Sequence, residues 1–229
     1  MHKNLQAVIL AGGKGTRLLG LTKEMPKAMM DLNGKPFIEI LINQLKKKGI
    51  KKILILAGYK KKKISDYFKD KKNIEIFMGH AHWQTLTRIQ KAKDQISNYF
   101  LLMYCDNYLI NFKLNKQFNL FKKNNVDIVL SSVKKKIGQK GTVLLKNNKA
   151  IYKKGIISDY TEAGYMLVNK KKFFKYSLKL NRGKQDLSSV LEACSQNNKL
   201  NYINYENNFL CIENEYLLNQ TRKYLKKLT

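Results

Sequence analysis

Residues Leu5–Ala11 form a short, mostly apolar run that stops at Gly12-Gly13. A run of that length ending in a glycine pair reads as a buried strand entering a tight loop. Further along, Ile53–Ala57 is all apolar and is followed by Gly58-Tyr59 and a lysine-rich helix to Phe68. Tyr99–Tyr104 is a third buried strand, ending at Cys105-Asp106-Asn107. Between them, Pro36 opens a helix carrying Phe37, Ile38, Leu41, Ile42 and Leu45 on one stripe, with Gly49 as its stop. Ile74–Met78 is a further strand, Gln84–Ile96 and Leu114–Lys123 are helices, and Val126–Val133 is a strand. Unbroken apolar strands alternating with helices imply a parallel sheet covered on both faces. Ligands of such sheets bind beyond the carboxyl ends of the strands, where both the glycine loop and Asp106 fall. After Lys134 the pattern changes: short strands near Thr142–Leu145, Ala150–Tyr152 and Gly164–Val168 suggest an inserted antiparallel lobe. Helices at Lys170–Ser177, Asp186–Ser195 and Glu213–Leu225 complete the chain.

The loop Ala11-Gly12-Gly13-Lys14-Gly15-Thr16-Arg17 suits phosphate. Three glycines let backbone N–H groups converge and a ligand approach closely, and Arg17 adds a planar guanidinium. Pro26-Lys27 supplies another cation. Lys14-Gly15-Thr16 has the wrong order and spacing for a Walker A loop, and Leu18 stands where a dinucleotide fingerprint needs its third glycine.

With 229 residues, 44% of them hydrophobic, the chain has material for one sizeable core, and a single domain over 1–229 is expected. It has no apolar run long enough to span a membrane and no signal-peptide pattern at its start, so a cytoplasmic protein without membrane association is expected. Cys105, Cys194 and Cys211 are far apart and without a CxxC pair, which argues against a disulfide framework or a zinc site. His80 and His82 lack a third ligand, and Trp83 reads as core. The formal charge is +29, yet of 45 basic residues only Arg17, Arg88, Arg182 and Arg222 are arginine. Base readout and bidentate phosphate clamps favour arginine. The lysines therefore read as solvated background that attracts nucleotides, and no nucleic-acid partner is expected.

Gly12-Gly13-Lys14-Gly15-Thr16-Arg17-Leu18, then Pro26-Lys27-Ala28-Met29, then Gly34-Lys35-Pro36-Phe37-Ile38, closely resembles the sugar-phosphate nucleotidyltransferase family, of the guanylyl-, cytidylyl- and thymidylyltransferase type. The resemblance is strong over Leu5–Tyr59, extends to Asn107 and fades afterwards. It implies a Rossmann-like three-layer α/β sandwich with a mostly parallel central sheet and a small antiparallel insertion lobe. It implies transfer of a nucleoside monophosphate from an NTP to a sugar 1-phosphate in nucleotide-sugar biosynthesis, with Mg²⁺ as cofactor and a homo-oligomer as one possible state. Carried over residue by residue, Leu10, Ala11, Gly12, Gly13, Lys14, Gly15, Thr16, Arg17, Gln84 and Thr85 would bind the nucleotide. Arg17 would hold the leaving pyrophosphate, Lys27 would neutralise the reacting phosphates, and Asp106 would hold the metal. Lys154, Glu162 and Gly164 would contact the sugar phosphate.

The chain departs from that pattern in three places. Cys105 replaces the glycine before the metal aspartate, Gln84–Ile89 lacks two glycines near the base, and Cys211 occupies the place of a second metal aspartate. A thiolate suits Mg²⁺ poorly; Glu213 or Asp159 are the substitutes at hand, or one carboxylate suffices. Two other readings therefore stand beside the first: a cytidylyltransferase for a non-sugar phosphate such as phosphocholine, and a non-catalytic nucleotide- or sugar-binding relative. A basic nucleic-acid-binding protein is a distant fourth.

Overall fold

The computed structural model describes residues 5–18, 20–136, 139–146, 149–153, 155–180 and 186–227. In chain order the elements are β1 (Gln6–Ala11), β2 (Asp31–Leu32), β3 (Lys35–Pro36), α1 (Phe37–Lys47), β4 (Lys52–Ala57), α2 (Lys61–Phe68) and β5 (Ile74–Met78). Next come α3 (Thr85–Lys91), β6 (Tyr99–Tyr104), β7 (Asn107–Leu109), α4 (Leu114–Lys123), β8 (Ile128–Lys134), β9 (Val143–Lys146) and β10 (Lys149–Tyr152). The last are β11 (Tyr160–Asn169), α5 (Lys170–Leu178), α6 (Leu187–Gln196), β12 (Leu200–Asn204), β13 (Phe209–Cys211) and α7 (Glu215–Lys226). They fall into two compact units. The first holds the chain to Trp83, then Met103–Tyr108 and the stretch from Leu210; the second holds Gln84–Leu102 and Leu109–Phe209.

In the first unit, β1, β4 and β5 run parallel in register, Ala11 opposite Ala57 and Ala57 opposite Met78. A glycine follows each strand at its carboxyl end: Gly12, Gly58 and Gly79. All six residues of β1 are buried, as is all of β4 after Lys52. Strands covered on both faces have no solvent side to mark with polar residues, which is why these runs are continuous rather than alternating. Helix α1 buries Phe37, Ile38, Leu41, Ile42 and Leu45, the stripe expected from their spacing. Its end is marked by Gly49 at φ +83°, a backbone region that favours glycine.

In the second unit, β8 pairs antiparallel with β11 and parallel with β12, while β9 and β10 pair antiparallel with each other. The register of β8 with β11 shifts between Glu162 and Met166. The antiparallel lobe read from the sequence is present here, together with the parallel strand β12, which sequence periodicity did not mark.

The expected helix over Gln84–Ile96 is shorter. Helix α3 ends at Lys91, and a single 3-10 turn follows at Lys93–Gln95. Leu86, Ile89, Ala92 and Ile96 are all buried, so the apolar spacing runs on through the tighter turn and hides the break.

Candidate active site

The glycine loop leaves β1 with Leu10, Ala11 and Gly12 buried, whereas Gly13, Lys14, Thr16 and Arg17 are exposed. A turn at Thr16–Leu18 re-enters the core through Leu18, whose N–H donates to Gly15 O at 2.9 Å. Two residues that sequence reasoning passed over shape this loop. Thr22 Oγ1 donates to Gly15 O and to Leu18 O, each at 3.3 Å. Tyr59 donates its backbone N–H to Gly12 O at 3.0 Å and its hydroxyl to Thr22 O at 3.2 Å. Neither residue belongs to a motif; only contacts between distant parts of the chain reveal them. Gly15 has φ +65°, and a β-carbon there would lie 3.1 Å from both Lys27 Cβ and Thr22 Cγ2. The glycine thus sets how closely the loop approaches Lys27.

Lys27 opens a short turn, Lys27–Met29, after the extended Pro26. Ala28, Met29 and Met30 sink into the core and fix the backbone under it. Its ammonium reaches Asp106 Oδ2 at 2.6 Å, with only 10% of the lysine side chain and 22% of the aspartate's exposed. Asp106 follows the carboxyl end of β6, and Ile212 N–H donates to its carbonyl at 3.0 Å. This link brings Glu213 into the same region, where its carboxylate accepts from Arg17 Nη1 at 2.7 Å. Beside Asp106, burial pushes the Cys105 thiol up to about 12, the aspartate's negative charge adds to the rise, and Lys27 opposes it. At neutral pH Cys105 is therefore a neutral thiol.

The first unit thus brings together Leu10–Arg17, Lys27 and Asp106. For Mg²⁺ the hard donors here are the carboxylates of Asp106 and Glu213. Cys211 is fully buried, and its carbonyl accepts from Thr221 Oγ1 at 3.0 Å. Among the described residues no group of three or more potential ligating side chains converges. That donor set fits Mg²⁺ held by one or two carboxylates and completed by substrate phosphates and water. Asp159, the other candidate carboxylate, lies in the second unit, is 77% exposed and pairs with Lys135 at 3.7 Å.

The second unit carries the remaining expected residues. Gln84 is exposed at the head of α3, and Thr85 is the first residue of that helix. Glu162 and Gly164 sit at the register shift of β11. There Gly164 has φ +72°, and its N–H donates to Glu162 Oε2 at 2.8 Å. Lys154 lies outside the described residues. In the first unit, Trp83 is only partly covered: it stacks on Phe77 at 6.3 Å and meets His80 edge-on at 4.7 Å.

Comparison with known proteins agrees with this architecture. The chain is similar to a glucose-1-phosphate thymidylyltransferase, so assigned, from Bacillus anthracis, with TM-score 0.84 and 17% identity over 98% of this chain and 96% of that one. It is also similar to the inositol-1-phosphate CTP transferase of T. maritima, with TM-score 0.79 and 19% identity over 97% and 95% of the two chains. At such identities these likenesses establish the fold, the Rossmann-like α/β class expected from the sequence. In sequence, 66 residues are 48% identical to a D-glycero-alpha-D-manno-heptose 1-phosphate guanylyltransferase of Campylobacter jejuni, covering 29% of this chain and 30% of the relative. A stretch of 107 residues is 37% identical to a choline-phosphate cytidylyltransferase of Streptococcus pneumoniae, covering 46% of each. The matched segments thus span less than half the length of these curated relatives. The Nucleotidyl transferase family profile matches residues 6–141, more than half of the chain and inclusive of the glycine loop, Lys27 and Asp106. This protein belongs to the nucleotidyl transferase family, with relatives among the sugar-phosphate nucleotidyltransferases.

Proposed function

We propose that the chain transfers a nucleoside monophosphate from an NTP to a hexose or heptose 1-phosphate, giving an NDP-sugar and pyrophosphate. The observation that carries this reading is the Lys27–Asp106 contact of 2.6 Å beside the glycine loop. It sets a cation and a hard carboxylate where the strand ends and the loop amides meet. The nucleophile is a phosphate oxygen that is already anionic, so no general base is required. It attacks the α-phosphorus, the bond from that phosphorus to the bridging oxygen breaks, and pyrophosphate leaves with the electron pair. The obstacle is negative charge, and the protein's task is positioning and neutralisation. Lys27 offsets charge on the reacting phosphate, Arg17 holds the departing pyrophosphate, and the loop amides orient the chain of phosphates. Mg²⁺ held by Asp106 would supply Lewis-acid neutralisation of the phosphate oxygens. NTP as substrate and cysteines kept as thiols favour action in the cytoplasm.

A second reading, a cytidylyltransferase for a non-sugar phosphate, draws on the likeness to the choline-phosphate enzyme. The assay is pyrophosphate release with Mg²⁺, each of the four NTPs being offered with glucose, mannose and heptose 1-phosphates and with phosphocholine. Release with a sugar phosphate supports the first reading, and release with phosphocholine alone supports the second. NTP-induced thermal stabilisation without release from any pair would mark a binding protein, in keeping with Cys211 at the place of an aspartate.

A further inference from the structure

Each of the two cations assigned to phosphate holds a carboxylate in this structure: Lys27 holds Asp106, and Arg17 holds Glu213. The second pair has an unequal build. Arg17 is 70% exposed and stands on a single turn of the loop, whereas the Glu213 side chain is 21% exposed. The backbone of Glu213 is anchored on both sides. Ile212 N–H donates to Asp106 O at 3.0 Å, and Asn214 caps α7 by accepting from Leu217 N–H at 2.9 Å. The carboxylate is therefore the fixed partner and the guanidinium the movable one.

We infer that Glu213 is a positioning residue that pins Arg17 in the nucleotide-free chain and is displaced from it by the incoming pyrophosphate moiety of the nucleotide. The inference rests on the reading of Arg17 as the pyrophosphate contact. A phosphate oxygen and a carboxylate compete for the same N–H groups of a guanidinium, and two anions at that distance repel. Binding therefore exchanges one anion for another on Arg17. As pyrophosphate departs, Glu213 recovers its partner, which favours product release. Glu213 thereby limits how tightly Arg17 holds pyrophosphate.

The test uses titration calorimetry of the full chain with inorganic pyrophosphate in buffer free of divalent cations, a probe independent of the base and of any metal that Glu213 would help to hold. Glu213→Gln keeps the shape and removes the charge. It is expected to tighten pyrophosphate binding about two- to five-fold, the range of one solvent-accessible ion pair. In an Arg17→Ala background the same substitution is expected to change affinity little, because the competition is gone. Unchanged or weaker binding by Glu213→Gln alone overturns the inference, as does an equal gain in both backgrounds, which would report only a general change of charge. If Arg17→Ala itself leaves pyrophosphate affinity intact, the assignment of Arg17 fails first and takes the inference with it. A purely structural role for Glu213 would weaken binding and lower the melting temperature together.

Discussion

Gly13 and Gly15 belong to one loop but are constrained differently. A β-carbon at Gly13 meets nothing within 4 Å, whereas at Gly15 it would press on Lys27 and Thr22 from a φ of +65°. Gly15→Ala should therefore cost about 1–2 kcal/mol from the left-handed backbone. It should also move Lys27 away from its present place, lowering both melting temperature and turnover. Gly13→Ala should leave the melt unchanged. Equal melts for the two variants would contradict the geometry. At Lys27 the argument concerns chemistry. Lys27→Ala should lower turnover about 10²–10³-fold, the effect of losing one preorganised charge contact. Steady-state pyrophosphate release by protein with a native circular dichroism spectrum measures it, and near-normal turnover would reject the assignment. The structure places Cys105 against a catalytic role: with its thiol pushed up to about 12, alkylation by iodoacetamide in the folded chain at pH 8 should be much slower than in the unfolded chain. Comparable rates in the two states would show that the half-buried thiol ionises as readily in the fold as in the open chain.

At the scale of elements, α7 shows how a local signal supports a distant site. Asn214 accepts from Leu217 N–H at 2.9 Å and so caps the helix that follows Glu213. Asn214→Ala should cost about 1 kcal/mol of stability, seen as a lower denaturation midpoint. If Glu213 is held from this cap, the variant should also relax the Arg17 pair and tighten pyrophosphate slightly. The elements most legible in the sequence were those with one dominant driving force. Strand β5 and helix α4 fall where the apolar pattern puts them, and β1 and β4 differ from it by one residue at their starts. Strand β12 was not legible. Its sequence, LNYIN, mixes apolar and polar residues, and Asn201 is buried through pairing with β8, which no local pattern reports. The β2–β3 hairpin was missed although Asn33-Gly34, at φ +59° and +84°, is the dipeptide that such turns prefer. In the site, the cations and Asp106 stood in readable motifs. The Arg17–Glu213 pair joins residues 196 positions apart and only folding reveals it.

The molecule as a whole carries 45 basic and 16 acidic side chains, a formal charge of +29. A field of that sign draws a triphosphate toward the chain before any specific contact forms. Long-range attraction and local chemistry respond differently to salt. Between about 0.1 M and about 1 M salt the Debye length falls from about 10 Å to about 3 Å, which removes steering by distant lysines. The Lys27–Asp106 pair, with 10% and 22% of its side chains exposed, is shielded from that screening. Raising salt over this range at fixed free Mg²⁺ should therefore lower kcat/KM for the NTP about tenfold or more while kcat changes little. Stopped-flow measurement of nucleotide association would place the loss in the on-rate. If kcat falls in parallel with kcat/KM, salt is acting on the reacting centre and the charge surplus has no part in capture. If neither responds, the lysines are surface background without consequence for the nucleotide, and the site's affinity must come from the loop, Arg17 and Lys27, with whatever metal Asp106 would hold.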